Sequence, residues 1–158
     1  MKKRKELVKQ LTDVITKGNA HATFEDAITK VPKAVRSKVP AKLPYSIWQL
    51  VEHMRIAQWD IVEFCRNPKH KSPKWPEGYW PVSAEPKDDE EWYNSIEQIR
   101  RDQADFIAML EDKDADLFEP FAHGDGQNLL REALLIADHN SYHTAEIIVL
   151  RRLQGDWK

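Results

Sequence analysis

Residues 128–155 read NLLREALLIADHNSYHTAEIIVLRRLQG, and this stretch decides the fold. No proline or glycine interrupts it before Gly155, and Asn128 is a residue type that caps helix N-termini. Leu130, Ala133, Leu134, Ala137, Ser141, Thr144, Ala145 and Ile148 recur at helical spacing and predict one packed side. The reading is therefore a helix from Asn128 to about Gln154, stopped by Gly155.

The same period runs upstream. Ser46 opens a second long helix, with Gln49 placed for a capping box. Ile47, Leu50, Val51, Met54, Ala57, Ile61 and Phe64 form its expected buried stripe, and Asn67-Pro68 ends it. A third is expected from Asp89 to Leu110, with Trp92, Ile96, Ile99, Phe106 and Met109 or Leu110 facing the core. A shorter helix at 3–17 presents Leu7, Leu11, Val14 and Ile15, and Gly18 closes it. Residues 23–31 predict a brief helical piece that Thr23 and Asp26 begin and Pro32 closes; 32–45, with three prolines, reads as a connector. Three long helices and a shorter one, with no internal repeat, predict an all-α chain: a single-domain four-helix bundle over 1–158 with long crossover connections.

The composition agrees. A chain of 158 residues can bury one sizeable core. Its 24 Lys and Arg against 26 Asp and Glu favour no nucleic-acid or membrane partner. The basic opening MKKRKELVKQL lacks the apolar core of a signal peptide, and a cytoplasmic location is the expectation. The single cysteine, Cys65, ends an apolar stripe and reads as a small core residue.

Between the second and third helices, residues 67–88 (NPKHKSPKWPEGYWPVSAEPKD) hold five prolines and the cluster Trp75, Tyr79 and Trp80. Long loops inside compact domains are often lids or binding loops, and aromatics of this kind also plug the end of a bundle.

His139 and His143 carry the chemistry. Residues four apart on a helix are separated by about 400° and about 6 Å of rise, so both imidazoles share a face. HNSYH is not the HExxH of zinc proteases, because Asn140 stands where the catalytic Glu would be. Leu135 lies four residues before His139, and Ile147 lies four after His143, so the pair interrupts an apolar stripe. Buried imidazoles need partners for their ring nitrogens; a metal is one solution and a hydrogen-bonded core network is another. His53, in phase with Leu50 and Ala57 on the second helix, is the candidate third ligand. Three nitrogen donors with an open position suit Lewis-acid chemistry rather than a closed structural site. Donor type admits Zn, Ni, Fe or Cu. Asp60, seven residues after His53, and Glu146, three after His143, fall on or near the ligand faces. Glu146 could orient a histidine, act as a base or bind the ion, or be a plain surface charge. His21, His70 and His123 read as surface or structural residues.

With PYSIWQLVEHMRIAQWDI at 44–61, WPEGYWP at 75–81 and LLREALLIADHNSYHTAEIIVLRRLQG at 129–155, the chain resembles the DinB/YfiT-like superfamily of metal-binding four-helix bundles. The resemblance implies a metal triad of His53, His139 and His143 holding one divalent ion, Zn or Ni first, with Fe or Mn as alternatives. Many relatives read H-x-G-Q after the last ligand, whereas this chain reads His143-Thr144-Ala145-Glu146. Ala145 would add a methyl where helices pack closely, and Glu146 a charge beside the ion.

What the resemblance implies about activity is a metal-dependent enzyme using a low-molecular-weight thiol of the bacillithiol, mycothiol or glutathione kind in S-transfer, with Glu146 or Asp60 assisting. The alternatives are a non-catalytic metal-binding stress-response protein and a metal-dependent hydrolase. Relatives often pair as homodimers, which the resemblance extends to this chain; Trp48, Trp59 and Trp157 are candidates for such a contact or, equally, for packing under the loops.

Overall fold

The computed structural model describes residues 2–157. Six α-helices follow in order: α1 (Lys2–Lys17), α2 (Phe24–Ile28), α3 (Lys33–Arg36), α4 (Ile47–Arg66), α5 (Asp89–Glu111) and α6 (Leu129–Leu153). A 3-10 turn spans Glu77–Tyr79, and no strand occurs among the described residues. None of these helices is long and apolar enough to cross a membrane.

The helix starts follow the capping chemistry of the sequence. Ser46 accepts from the Gln49 amide while the Gln49 side chain accepts from the Ser46 amide. Thr23 and Asp26 make the same reciprocal box, and Asn128 accepts from the Arg131 amide. Each such cap contributes about 0.5–2 kcal/mol. At the other end of α6, Gly155 adopts φ +75°, which a side chain would strain. The expected connector at 32–45 does carry one helical turn, α3, because Pro32 can precede a helix start.

The long helices form a closed ring in which α4 packs on α5 and α6, and α1 packs on α5 and α6. Two apolar clusters fix their directions. One unites the first half of α4 (Ile47–Met54), the first half of α5 (Trp92–Ile99) and the last part of α6 (Ile147–Leu150). The other unites Val62, Phe106, Leu110, Ala133 and Ile136 with Val8 and Leu11 of α1. Helices α4 and α5 therefore run parallel, and α6 runs against both. Arg4 donates to the carbonyls of Leu110, Asp112 and Ala115, while Gln103 donates to that of Ile15, so α1 opposes α5. A parallel pair needs a connection that retraces the bundle, about 30 Å for a helix of this length. The 67–88 segment is long because it makes that return.

Some facing residues differ from the expected stripes. Leu134 and Ala145 are exposed, whereas Ile136, Ile147 and Leu150 are buried. Helix α6 touches α4 on one side and α1 and α2 on another, so its buried arc is wider than one stripe and centred differently. Ala145 therefore meets no close helix. Val14 is exposed at the margin of the α1 stripe, whose centre is Val8 and Leu11. Trp48 is only 2% exposed and packs on Trp92. Trp59 packs edge-on against His70, and Trp157 lies under the Arg151 guanidinium.

Candidate metal centre

Between the two apolar clusters the bundle has a polar layer. Gln58 donates to the Ile99 carbonyl and accepts from Asn140, a chain that ties α4 to α5 and α6 at mid-height. The histidines lie beside it. Antiparallel packing of α4 on α6 sets His53 against His139 and His143.

The three Nε2 atoms converge. His53 Nε2 lies 3.1 Å from His143 Nε2 and 3.1 Å from His139 Nε2. Together they form a group that could hold a metal ion. Two imidazole nitrogens each about 2.1 Å from one ion stand about 3.0–3.4 Å apart for angles between a right angle and a tetrahedral one. The donor spacing fits.

The opposite edges of the rings decide the tautomers. His53 Nδ1 is 2.9 Å from the Tyr79 carbonyl, and His143 Nδ1 is 2.7 Å from Glu146 Oε2. Both partners only accept, so both Nδ1 atoms carry hydrogen and donate. In the neutral rings, the Nε2 atoms of His53 and His143 then hold bare lone pairs pointed at each other. No pair of neutral tautomers satisfies that contact and both outer ones together; a cation between the Nε2 atoms does. Burial lowers the pKa of all three histidines: of His53 and His143 by desolvation, and of His139 to about 4 by desolvation and the neighbouring His143. The rings are held neutral, the form a metal requires.

Glu146 is fully engaged. One oxygen accepts from His143 and the other from the Tyr45 hydroxyl. This is the carboxylate–histidine arrangement that orients metal ligands. Asp60 points elsewhere: Tyr79 donates to its Oδ2 at 2.6 Å, and His70 Nε2 lies 2.6 Å from its Oδ1. Asp60 thereby anchors the 67–88 segment, whose Tyr79 carbonyl holds His53. Trp80 stacks on the His53 ring at 3.9 Å, with Tyr45 stacked behind it. The aromatics cover the side of the histidine cluster instead of plugging an end of the bundle.

A cleft of about 460 Å³ opens over the cluster, lined among others by Ala57, Ile61, Leu135, Trp75, Trp80 and Tyr142. Residues 18–147 match a family model described as the DinB superfamily, a span that includes all three histidines and Glu146. The chain belongs to the DinB superfamily. No curated protein and no solved structure matches it.

In this DinB-superfamily chain, the remaining histidines stay outside the cluster. His21 lies 3.0 Å from Ser141 Oγ, and His123 reaches the Phe64 carbonyl. Cys65 is not a nucleophile candidate, since burial pushes its thiol up to about 12. Sequence reasoning missed the Tyr79 carbonyl and Tyr45, and placed Trp80 in the 67–88 loop without its stack on His53. The first is a backbone atom with no residue-type signal. The other two reach the site only through the return path of the loop and the antiparallel pairing of α4 with α6.

Proposed function

We propose that this chain is a metal-dependent enzyme that transfers the sulfur of a low-molecular-weight thiol to an electrophilic carbon. His53, His139 and His143 hold one divalent ion, Zn or Ni first, with Fe or Mn as alternatives. The observation that carries the reading is the 3.1 Å approach of the His53 and His143 Nε2 atoms, with both Nδ1 atoms against acceptors, beneath a cleft wide enough for a small molecule.

When bound, the ion supplies Lewis-acid chemistry that favours the thiolate form of a thiol near it. The chain's residues supply the rest. Glu146 and the Tyr79 carbonyl hold the Nδ1 protons of His143 and His53 and keep both Nε2 atoms available. Tyr45 secures the second Glu146 oxygen, and burial raises the pKa of its hydroxyl, so it stays a donor. Trp80 shields one face of His53 from water. In the transfer, the thiol proton goes to solvent, sulfur forms the new C–S bond, and the leaving group departs with the electron pair of the broken bond. Glu146 and Asp60 act as positioning residues.

The test is metal analysis followed by thiol-conjugation assays on wild type and His143→Ala, with a chromogenic aryl halide as electrophile. Stoichiometric metal and thiol-dependent turnover, both lost in His143→Ala, are expected. Protein that stays metal-free after loading with Zn or Ni overturns the reading. Loaded protein without turnover points to an ion that braces α4 against α6 in a non-catalytic protein. Turnover of activated esters without thiol points to a hydrolase.

A further inference from the structure

The charge of the cleft lining is one-sided. Thirteen described residues line it, and none is Lys or Arg; the carboxylates are Asp60 and Glu146. Lys74, next in sequence to Trp75, is 85% exposed and lies 3.8 Å from Glu77. The metal's own charge has to be counted as well. With the thiol sulfur taking the ion's open position, a second anionic group on the same molecule meets Glu146 and Asp60 and finds no Lys or Arg in the lining. Removing a charge from water without such a partner is costly.

The rest of the lining is apolar or aromatic. Trp75 is 68% exposed and Tyr142 62%, two large rings left open at the same cleft. Tyr142 packs edge-on against His143, and Trp75 lies against Tyr79, whose carbonyl meets His53. Ile61 and Leu135 add aliphatic wall. Aromatic faces near carboxylates attract flat apolar groups and cations, and repel anions.

We infer that the cleft selects a substrate whose buried part is uncharged or cationic and carries a flat apolar group, and that it rejects substrates bringing a carboxylate or phosphate inside. The inference rests on the thiol-transfer reading for the position of the reacting atom, and on the lining alone for the selectivity. Its substrate class is a neutral or cationic, apolar-substituted thiol or electrophile. A thiol with several carboxylates is admitted only if those groups stay outside.

Three thiols of one shape make the test: 4-methylbenzyl thiol, 4-(aminomethyl)benzyl thiol and 4-(mercaptomethyl)benzoate. Their binding to Zn-loaded protein is read from quenching of tryptophan fluorescence, Trp75 and Trp80 being the reporters at the cleft. The neutral and cationic thiols are expected to bind at least about ten-fold tighter than the benzoate, about 1.4 kcal/mol. Tyr142→Lys, at an exposed position, is expected to shrink or reverse that gap by adding the missing cation. Equal affinity for the three, tighter binding of the benzoate, or binding of none overturns the inference. The ranking is independent of turnover. If it holds while no sulfur is transferred, the thiol-transfer reading fails and the selectivity stands. If a polyanionic thiol is transferred and the ranking is absent, the reverse is concluded.

Discussion

His53 and His143 face each other across α4 and α6 with their Nε2 atoms 3.1 Å apart, while each ring's Nδ1 proton is committed to another acceptor. Removing the acceptor at either outer edge should release a proton choice that the site depends on.

Glu146 is the first case. Glu146→Ala is expected to lower ion affinity about 10–100-fold, because His143 loses the partner that fixes its tautomer. Glu146→Gln keeps an acceptor oxygen and should retain most of the affinity. Competition with a chromophoric chelator measures both. Wild-type affinity in Glu146→Ala would show that the carboxylate does not orient the ligand.

Asp60 controls the other ring at one remove. Asp60→Ala takes the acceptor from the partly buried Tyr79 hydroxyl and from the nearly buried His70 side chain, and a buried group left unpaired costs about 1–3 kcal/mol. Urea unfolding should show the loss, and proteolysis within 67–88 should quicken. Tyr79→Phe removes one of the two contacts and should fall between wild type and Asp60→Ala.

Acid should unfold the metal-free protein through its histidines. In the unfolded chain an imidazole titrates near about 6.5, whereas burial holds folded His139 at about 4 and lowers His53 and His143 too. Between those values the unfolded state takes up protons that the folded state refuses. Stability is therefore fully present above about pH 6.5 and lost as pH falls toward about 4, with His139 contributing about 3 kcal/mol at most. The urea midpoint of chelator-treated protein measured from pH 7.5 to 4 checks the sign. A midpoint that rises on acidification contradicts it.

Asp102 should behave in the opposite sense. Its buried carboxylate accepts from Gln98 on one oxygen and has no partner on the other, and burial raises its pKa. The folded state therefore keeps the proton longer, and stability is lost as pH rises through the carboxylate range. Asp102→Asn is expected to stabilise the fold at pH 7 by about 1 kcal/mol. The advantage should close as pH falls toward the ordinary carboxylate value, as paired thermal melts would show.

Helix positions and starts were legible in the sequence because capping and periodicity are local. Ser46 with Gln49, Asn128 and Gly155 each act within one turn of themselves. The triad was legible for a similar reason. His139 and His143 share a face by spacing, and His53 shares a stripe with Leu50 and Ala57, so only the meeting of two helices remained to be supplied. That meeting is a packing outcome. So is the exposure of Leu134 and the burial of Trp48, which depend on how many neighbours each helix has.

By itself the sequence determined that the chain is helical, where its long helices begin, and which imidazoles could converge, since these follow from period and side-chain chemistry. Tertiary structure alone decided the relative directions of α4, α5 and α6, and so the return path that lays Trp80 on His53 and hands the Tyr79 carbonyl to its Nδ1. It also decided that Glu146 faces His143 and Tyr45 while Asp60 holds the loop. The physical reason is that hydrogen-bond partners far apart in the chain become neighbours only when apolar burial fixes how the helices pack.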